Sequence, residues 1–475
     1  ILLKASSHSI PAGYRHSCIP GISREATSLM SQRDAIRAVD PLDPTLADLN
    51  NDISKIVAEN KRQIWRNKVE EAGQRAEPSK FWRLLRGLSG KRLFVPPNQP
   101  IRFGKKFFTK SSNVSEQFVR QFVPSPCSDS LSRRVRRNLY KSHPLSHDFN
   151  PFITAKTEEA IRNSKSSTAT GPDGLTSLHL KKLGPAAISY MTALFNLSAR
   201  DAVVPQIWKK ALVLPILKPG KPPDLSTSYR PISLISPVIK IFERLLLPSL
   251  STAFVMSPTQ HGFRPFRSPT TALLPLVAKV SEGFNCKKPA TRTVAVAIDI
   301  SKAFDTVDIT LLLDQIKNSD LHPNFVRWLA SYLRGRQAAC IYQGSQSKFR
   351  IVHVGVPQGS VISPILFNLY VSDFPKVSEL LSSFADDFTI AASGPDLKSI
   401  NKKLNKDMVK IAKWANRKRL KISSGKSQVI YFTPNSREHK DKPEIYYKGE
   451  LIPVVNCMKI LGVNLDTGHN LNKQE

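Results

Sequence analysis

"SSFADDFTIAA", residues 382–392, sets two adjacent carboxylates, Asp386 and Asp387, inside a stretch whose other side chains suit a buried strand. Taken alone, such a pair between apolar runs is the solvated tip of a hairpin. A second stretch competes with that reading. "TVAVAIDI" (293–300) is nearly continuous apolar and β-branched, as a buried strand is, yet it carries Asp299 at its end. A carboxylate there needs a partner or a cation. Successive strand side chains point to opposite faces, so Asp386 and Asp387 share a site only if the chain turns there. Asp386 is the expected direct ligand and Asp387 the weaker contributor.

Nucleotidyl transfer calls for such carboxylates. Charge must be neutralised at the attacking and the leaving oxygen, and two hard cations about 4 Å apart do so. Mg²⁺ prefers oxygen ligands and keeps several waters.

Composition narrows the partner. The chain has 475 residues, 41% hydrophobic and 8% aromatic, enough for two or more ordinary cores. Lys and Arg number 70 against 37 Asp and Glu, a formal charge of +33. Such an excess points to a polyanion, nucleic acid before membrane surface. It is concentrated in "RRVRRNLYK" (133–141) and "NKKLNKDMVKIAKWANRKRLK" (401–421). Leu404, Met408, Ile411 and Ala415 give the second stretch the spacing of an amphipathic helix with a basic outer face.

Cys18, Cys127, Cys286, Cys340 and Cys457 are scattered and contain no Cys-x-x-Cys pair, which disfavours a disulfide framework or a zinc site. No apolar run reaches the roughly 18 residues of a bilayer span. The chain opens on Ile1 and ends after "DTGHNLNKQ", and is read as an internal fragment of a longer polypeptide.

Residues 1–150 are charged and Pro-rich, with helical patches such as 46–72 separated by "VPPNQP" (95–100) and "VPSPCSDS" (123–130), and read as a helical or irregular linker region. Beyond them the pattern is denser. The expected order is a short helix from Thr154, the turn "TGPDGL" (170–175), a helix over 186–203 and a strand within 209–221. "SYRPISLISPVIKIFERLLLPSL" reads as entry into a helix around 237–246. The strand at 293–300, a helix at 311–320, the basic helix, and strand signals at "SQVIYFT" and "MKILGVNLD" follow.

Further residue types belong with the carboxylates. Phe304, five residues past Asp299 in "DISKAFD", is bulky enough to floor a nucleotide pocket and exclude a ribose 2′-hydroxyl. Gln358 and Gly359 in "PQGS" offer an amide and a close backbone approach to template or nucleotide. Lys218 in "LPILKPGK" and Arg230 in "SYRPISL" suit a triphosphate. Each also has a plain structural reading: Phe304 as core, Gln358 as a turn residue, Lys218 and Arg230 as solvated charge.

In order along one chain, "ALVLPILKPGK", "SYRPISL", "QHGFRP", "AIDISKAFDTV", "GVPQGSVISPILFNLY", "FADD", "LKISSGKSQVIYF" and "MKILGVNLD" resemble the blocks of a reverse transcriptase. The flavour is that of non-LTR, LINE-type retrotransposons such as the Jockey and CR1 elements, and the match runs from about 154 to 466. The resemblance implies an α+β right-hand polymerase fold, with the reverse transcriptase domain at about 200–470. Fingers would occupy 154–290 and the palm 291–435, an antiparallel sheet packed on helices. Residues 436–475 would form the grip and the start of a truncated thumb. It implies Asp299, Asp386 and Asp387 as catalytic, metal-holding residues using Mg²⁺ (or Mn²⁺), and Phe304 as the gate. It assigns Lys218, Arg230, Gln358 and Gly359 to the nucleotide, and Lys426 of "GKS" to the pyrophosphate as a proton donor. RNA template, DNA primer or target and dNTPs are the implied partners, in a cytoplasmic ribonucleoprotein and the nucleus. His261 departs from the family, which often has an aromatic before "GF". A group II intron-type enzyme shares "PQGS" and "ADD", and an RNA-binding scaffold or inactive relic with the same fold is the reading of another class.

Overall fold

The computed structural model describes residues 23–40, 43–74, 99–123, 131–167, 169–286 and 291–468. The chain forms two compact units, Ile1–Pro97 and Asn98–Glu475.

In the first unit, helices Arg24–Val39 and Thr45–Gln74 pack on each other and bury Ala26, Leu46 and Ile53. The Ser23 hydroxyl caps the first helix by accepting from the Ala26 N–H at 3.2 Å. The helical reading of 46–72 is matched there. The Pro-rich breaks and Cys18 and Cys127 lie wholly or mostly outside the described residues.

The second unit holds the strands β1 (Ile101–Phe103), β2 (Lys106–Phe108), β3 (Lys210–Leu217), β4 (Tyr229–Ile235), β5 (Arg292–Asp299), β6 (Arg336–Tyr342), β7 (Ser345–Gln346) and β8 (Arg350–Val352). It continues with β9 (Leu380–Phe384), β10 (Asp387–Gly394), β11 (Gln428–Phe432), β12 (Tyr446–Tyr447), β13 (Glu450–Leu451), β14 (Cys457–Ile460) and β15 (Val463–Asp466). Helices interleave with them throughout, so the unit is mixed α and β.

Residues 99–123, read from sequence as part of a linker, are built into this unit. The Arg102 N–H donates to Asp224 O at 2.7 Å. Phe118, on helix Ser111–Phe122, packs on Phe103, Phe122, Tyr229 and Tyr342 in a core shared with Val213 and Cys340. Short strands and a twelve-residue helix carry little periodic signal, and their partners lie a hundred residues away.

β3 is flanked by antiparallel β4 and parallel β6, and β7 and β8 pair with β6. β4 was not expected, since "YRPISLI" reads as the approach to a helix. Pro231 lies on this edge strand, where a missing N–H is tolerated, opposite Pro215. Pro215 itself lies beyond Val213, where pairing with β6 stops. The helix then begins at Pro237, capped by the Ser236 hydroxyl, and runs to Ala253.

The second sheet has the order β11-β5-β10-β9, all antiparallel. Its two faces are distinct. Ala295, two and four residues from Ala297 and Asp299 on the same side of β5, packs with Leu276 and Val280 of helix Pro269–Asn285, and with Ile430 and Met458. On the other face Phe388 stacks on Phe374 at 4.5 Å and leans on Trp414 of helix Leu397–Arg417. That is the basic helix of the sequence: Leu404, Met408, Ile411 and Ala415 are buried, and Lys398, Lys402, Lys406 and Lys413 are exposed. Each buried Leu or Met of this kind is worth about 1.5–3 kcal/mol. Among the described residues no helix is long and apolar enough to cross a membrane.

Candidate active site

The second sheet brings the carboxylates to one end. β9 and β10 form a hairpin in which Phe384 pairs with Asp387, leaving Ala385 and Asp386 as a two-residue turn. Ala385 takes φ +55°, a left-handed value that lets the chain reverse so abruptly. Asp387 opens β10 directly opposite Asp299 at the end of β5. Cross-strand partners project from the same face, so Asp387 and Asp299 are neighbours and Asp386 stands beside them.

The site is electrostatically strained without a counter-charge. Partial burial raises the Asp386 carboxyl above its usual range, and the charge of Asp299 adds to the rise. Burial, then Asp386, then Asp299 raise Asp387. Asp299 Oδ2 is buried and makes no hydrogen bond. The Asp299 backbone is fixed: its N–H donates to Ser427 Oγ at 3.1 Å, and its carbonyl accepts from the Ser423 N–H at 3.0 Å. An orphaned carboxylate oxygen beside two carboxylates of raised proton affinity fits a hard divalent cation. Among the described residues, no group of three or more His, Cys, Asp or Glu side chains is arranged so as to hold a metal ion by itself.

A positive cluster adjoins the acids. Lys218, at the end of the β3 hairpin arm, is held below its usual range first by burial and then by the charges of Lys426, Arg230, Lys221 and Lys302. Its ammonium donates to Thr227 O at 3.0 Å. The fold thus assembles Lys218, Arg230 and Lys426, and adds Lys221 and Lys302. Lys426 adjoins Ser427, which touches the Asp299 backbone, and so links this cluster to the carboxylates.

Phe304 follows Lys302, a non-glycine residue at φ +51° that kinks the chain off the end of β5 into the short helix Ala303–Thr306. Its ring is half-buried, stacked on Phe367 at 4.6 Å and edge-on to Phe263 at 6.4 Å. Its carbonyl accepts from the Val356 N–H at 2.8 Å. Gln358 is partly committed: Nε2 donates to Asp305 Oδ1 at 2.7 Å, and its carbonyl accepts from the Ser233 N–H at 3.0 Å. Gly359, at φ +116°, lies so close to β4 that a Cβ would come within 2.6 Å of Ser233 O.

Two supports were not legible in sequence. Gln260, buried in "QHGFRP", clasps the Ala385–Asp386 turn: Oε1 accepts from the Ala385 N–H at 2.8 Å, and Nε2 donates to Ala385 O at 3.0 Å. Gly262 lies so tightly under Ala385 that a Cβ would collide with the Ala385 nitrogen. His261, the departure from the family pattern, is buried, and its Nδ1 bonds Thr271 Oγ1 at 2.9 Å. The second support is Glu243, fully buried on helix Pro237–Ala253. It accepts from Tyr332 OH at 2.7 Å, Ser360 Oγ at 2.6 Å and the Val361 N–H at 2.7 Å, and so pins the segment that carries Gln358 and Gly359. The sequence marks Gln260 only as part of a quoted block, and Glu243 only as a polar interruption of an apolar helix.

The reverse transcriptase (RNA-dependent DNA polymerase) family profile matches residues 216–465, more than half of the chain. Among curated proteins, the probable RNA-directed DNA polymerase from transposon X-element of Drosophila melanogaster is 32% identical over 326 residues, 66% of this chain and 35% of that protein. Its counterpart from transposon BS of the same species is 27% identical over 94% of this chain and 51% of its own length. The RNA-directed DNA polymerase from mobile element jockey of Drosophila funebris is 28% identical over 75% of this chain and 39% of its own length. The chain therefore spans between about a third and a half of these relatives.

Proposed function

Because the chain belongs to the reverse transcriptase family, we propose that it is the polymerase portion of a non-LTR retrotransposon protein. It extends a primer 3′-hydroxyl with dNTPs on an RNA template. The observation that carries the reading is the juxtaposition of Asp299 and Asp387 across β5 and β10, with Asp386 in the adjoining turn and Asp299 Oδ2 unpartnered.

In the right-hand description, residues 154–290 are the fingers, 291–435 the palm, and 436–475 the grip leading toward a thumb. Asp299, Asp386 and Asp387 are the residues that would hold Mg²⁺ or Mn²⁺. The unpartnered Asp299 Oδ2 supports this, since Mg²⁺ takes carboxylate oxygens as ligands and completes its shell with waters and substrate phosphate oxygens. When bound, the cations supply charge neutralisation at the attacking and leaving oxygens.

The chain's own residues do the rest. Lys218 and Arg230 receive the triphosphate; the mutual repulsion in their cluster is relieved by an anion. Phe304, braced by Phe367, floors the sugar pocket and excludes a 2′-hydroxyl. Gln358 keeps one amide hydrogen and Oε1 beyond its bond to Asp305, and Gly359 leaves its backbone open to the nucleotide. As the primer hydroxyl oxygen bonds to the α-phosphorus and gives up its proton to solvent water, the bond to pyrophosphate breaks and Lys426 donates a proton to the leaving oxygen.

The test is primer extension on poly(rA)/oligo(dT) with Mg²⁺, comparing the chain with Asp386→Ala. Loss of at least about a hundredfold is expected in the variant. Equal activity in both overturns the assignment, and RNA retention without any extension assigns a scaffold instead.

A further inference from the structure

The loop that clasps the catalytic turn ends in an aromatic side chain that nothing in the fold explains. Phe266 is completely exposed, at 105% of its reference accessibility, and Phe263 is 57% exposed. Both hold left-handed backbone conformations, φ +59° and +57°, which bulky residues adopt only when the surroundings impose them. The frame around them is firm. Arg264 Nη1 donates to Ser257 O at 2.7 Å, Arg267 Nη1 to Pro258 O at 2.8 Å, and the Gly262 N–H to Gln260 Oε1 at 2.8 Å. Burial does not account for a strained ring held out in water by a braced loop.

The surroundings indicate what the ring would meet. Arg264 and Arg267 flank it, and among the described residues neither forms an ion pair with a carboxylate; their bonds go to carbonyls and to His261. Gln260, in the same loop, grips Ala385 next to Asp386, and Phe263 meets the edge of Phe304. Exposed aromatics interleaved with guanidinium groups make a platform for single-stranded nucleic acid: any base offers a π-face, and the cations take the phosphates.

We propose that Phe266 is a stacking platform for an unpaired base of the template strand as it approaches the catalytic hairpin, with Arg264 and Arg267 on the adjoining phosphates. In the proposed reaction the primer end and the incoming nucleotide are paired and stacked, whereas the next template base exposes both faces. This inference rests on the polymerase reading.

The two are separable by experiment. The full chain is bound, without dNTPs, to an RNA template–DNA primer carrying 2-aminopurine either in the unpaired template overhang or at the primer 3′ end. Phe266→Gly removes the ring and also the backbone strain, so it is expected to be at least as thermally stable as the native chain. The expected result is quenching of the overhang probe by the native chain and by Phe266→Trp. In Phe266→Gly quenching is lost and binding is about tenfold weaker. Unchanged quenching and affinity in Phe266→Gly, or quenching confined to the primer 3′ probe, overturns the proposal. Primer extension is run in parallel: quenching without extension by the native chain overturns the polymerase reading alone.

Discussion

Asp387 is the direct cross-strand partner of Asp299 in the β5–β10 ladder, and Asp386 precedes it in a two-residue turn. Three acids at one sheet end repel one another unless a cation or a proton intervenes. Burial first, and then the charges of the neighbouring carboxylates, make Asp386 and Asp387 hold their protons more tightly than an ordinary aspartate does. A raised folded-state pKa gives stability that is complete below the unfolded value and lost as pH rises through the folded one. Metal-free Asp387→Asn is therefore expected to melt above the native chain at about pH 7, with the gap closing toward about pH 4. Scans in EDTA measure this, and added Mg²⁺ should raise the melting point of the native chain more. Identical melting across that range would remove the repulsion argument.

Gly262 underlies the same turn, and a methyl group there would drive Ala385 away. Gly262→Ala should lower stability by about 1–3 kcal/mol, as overpacking does, and reduce extension further than that loss explains. Urea midpoints with initial rates at saturating dNTP separate the two effects. A variant of normal rate would mean that the turn does not need this clasp.

Glu243 satisfies the buried hydroxyls of Tyr332 and Ser360 and the half-buried Val361 N–H, and burial raises its carboxyl above the usual range. Glu243→Ala leaves those donors without an acceptor and should cost about 3 kcal/mol, whereas Glu243→Gln, which retains an acceptor, should cost less. Chemical denaturation of the two variants checks the order. Equal losses would show that packing volume, not hydrogen bonding, sets the cost.

At the opposite end of β5, Arg292 Nε donates to Glu438 Oε2 at 2.8 Å. Arg292, then hydrogen bonds from Thr433, Asn435 and Tyr431, lower the Glu438 carboxyl from 4.5 to about 2 despite partial burial. A lowered carboxylate stabilises fully above its unfolded pKa and progressively less as pH falls through the folded one. Between about pH 4.5 and 2 the native chain should lose stability faster than Glu438→Gln. Parallel acid titrations followed by circular dichroism would reveal coincident curves if the pair were inert.

The basic helix shows how far local pattern reaches. The spacing of Leu404, Met408, Ile411 and Ala415 defined both the helix and its buried face, because a 3.6-residue period is a local property. β4 and the Ile101–Phe122 segment were not legible. An edge strand containing proline has no period of its own, and it forms only because β3 supplies the partner.

By itself, the sequence determined which acids, cations, aromatic and glycine are candidates for the chemistry, and the order that marks their family. Tertiary structure alone decided how they meet. Strand register set Asp387 opposite Asp299, while the Gln260 clasp and the buried Glu243 fixed the two loops that face the site. Register and clasp are contacts between segments far apart in the chain, 88 residues for Asp299 and Asp387 and 125 for Gln260 and Ala385, and their energies belong to pairs of residues that no local pattern records.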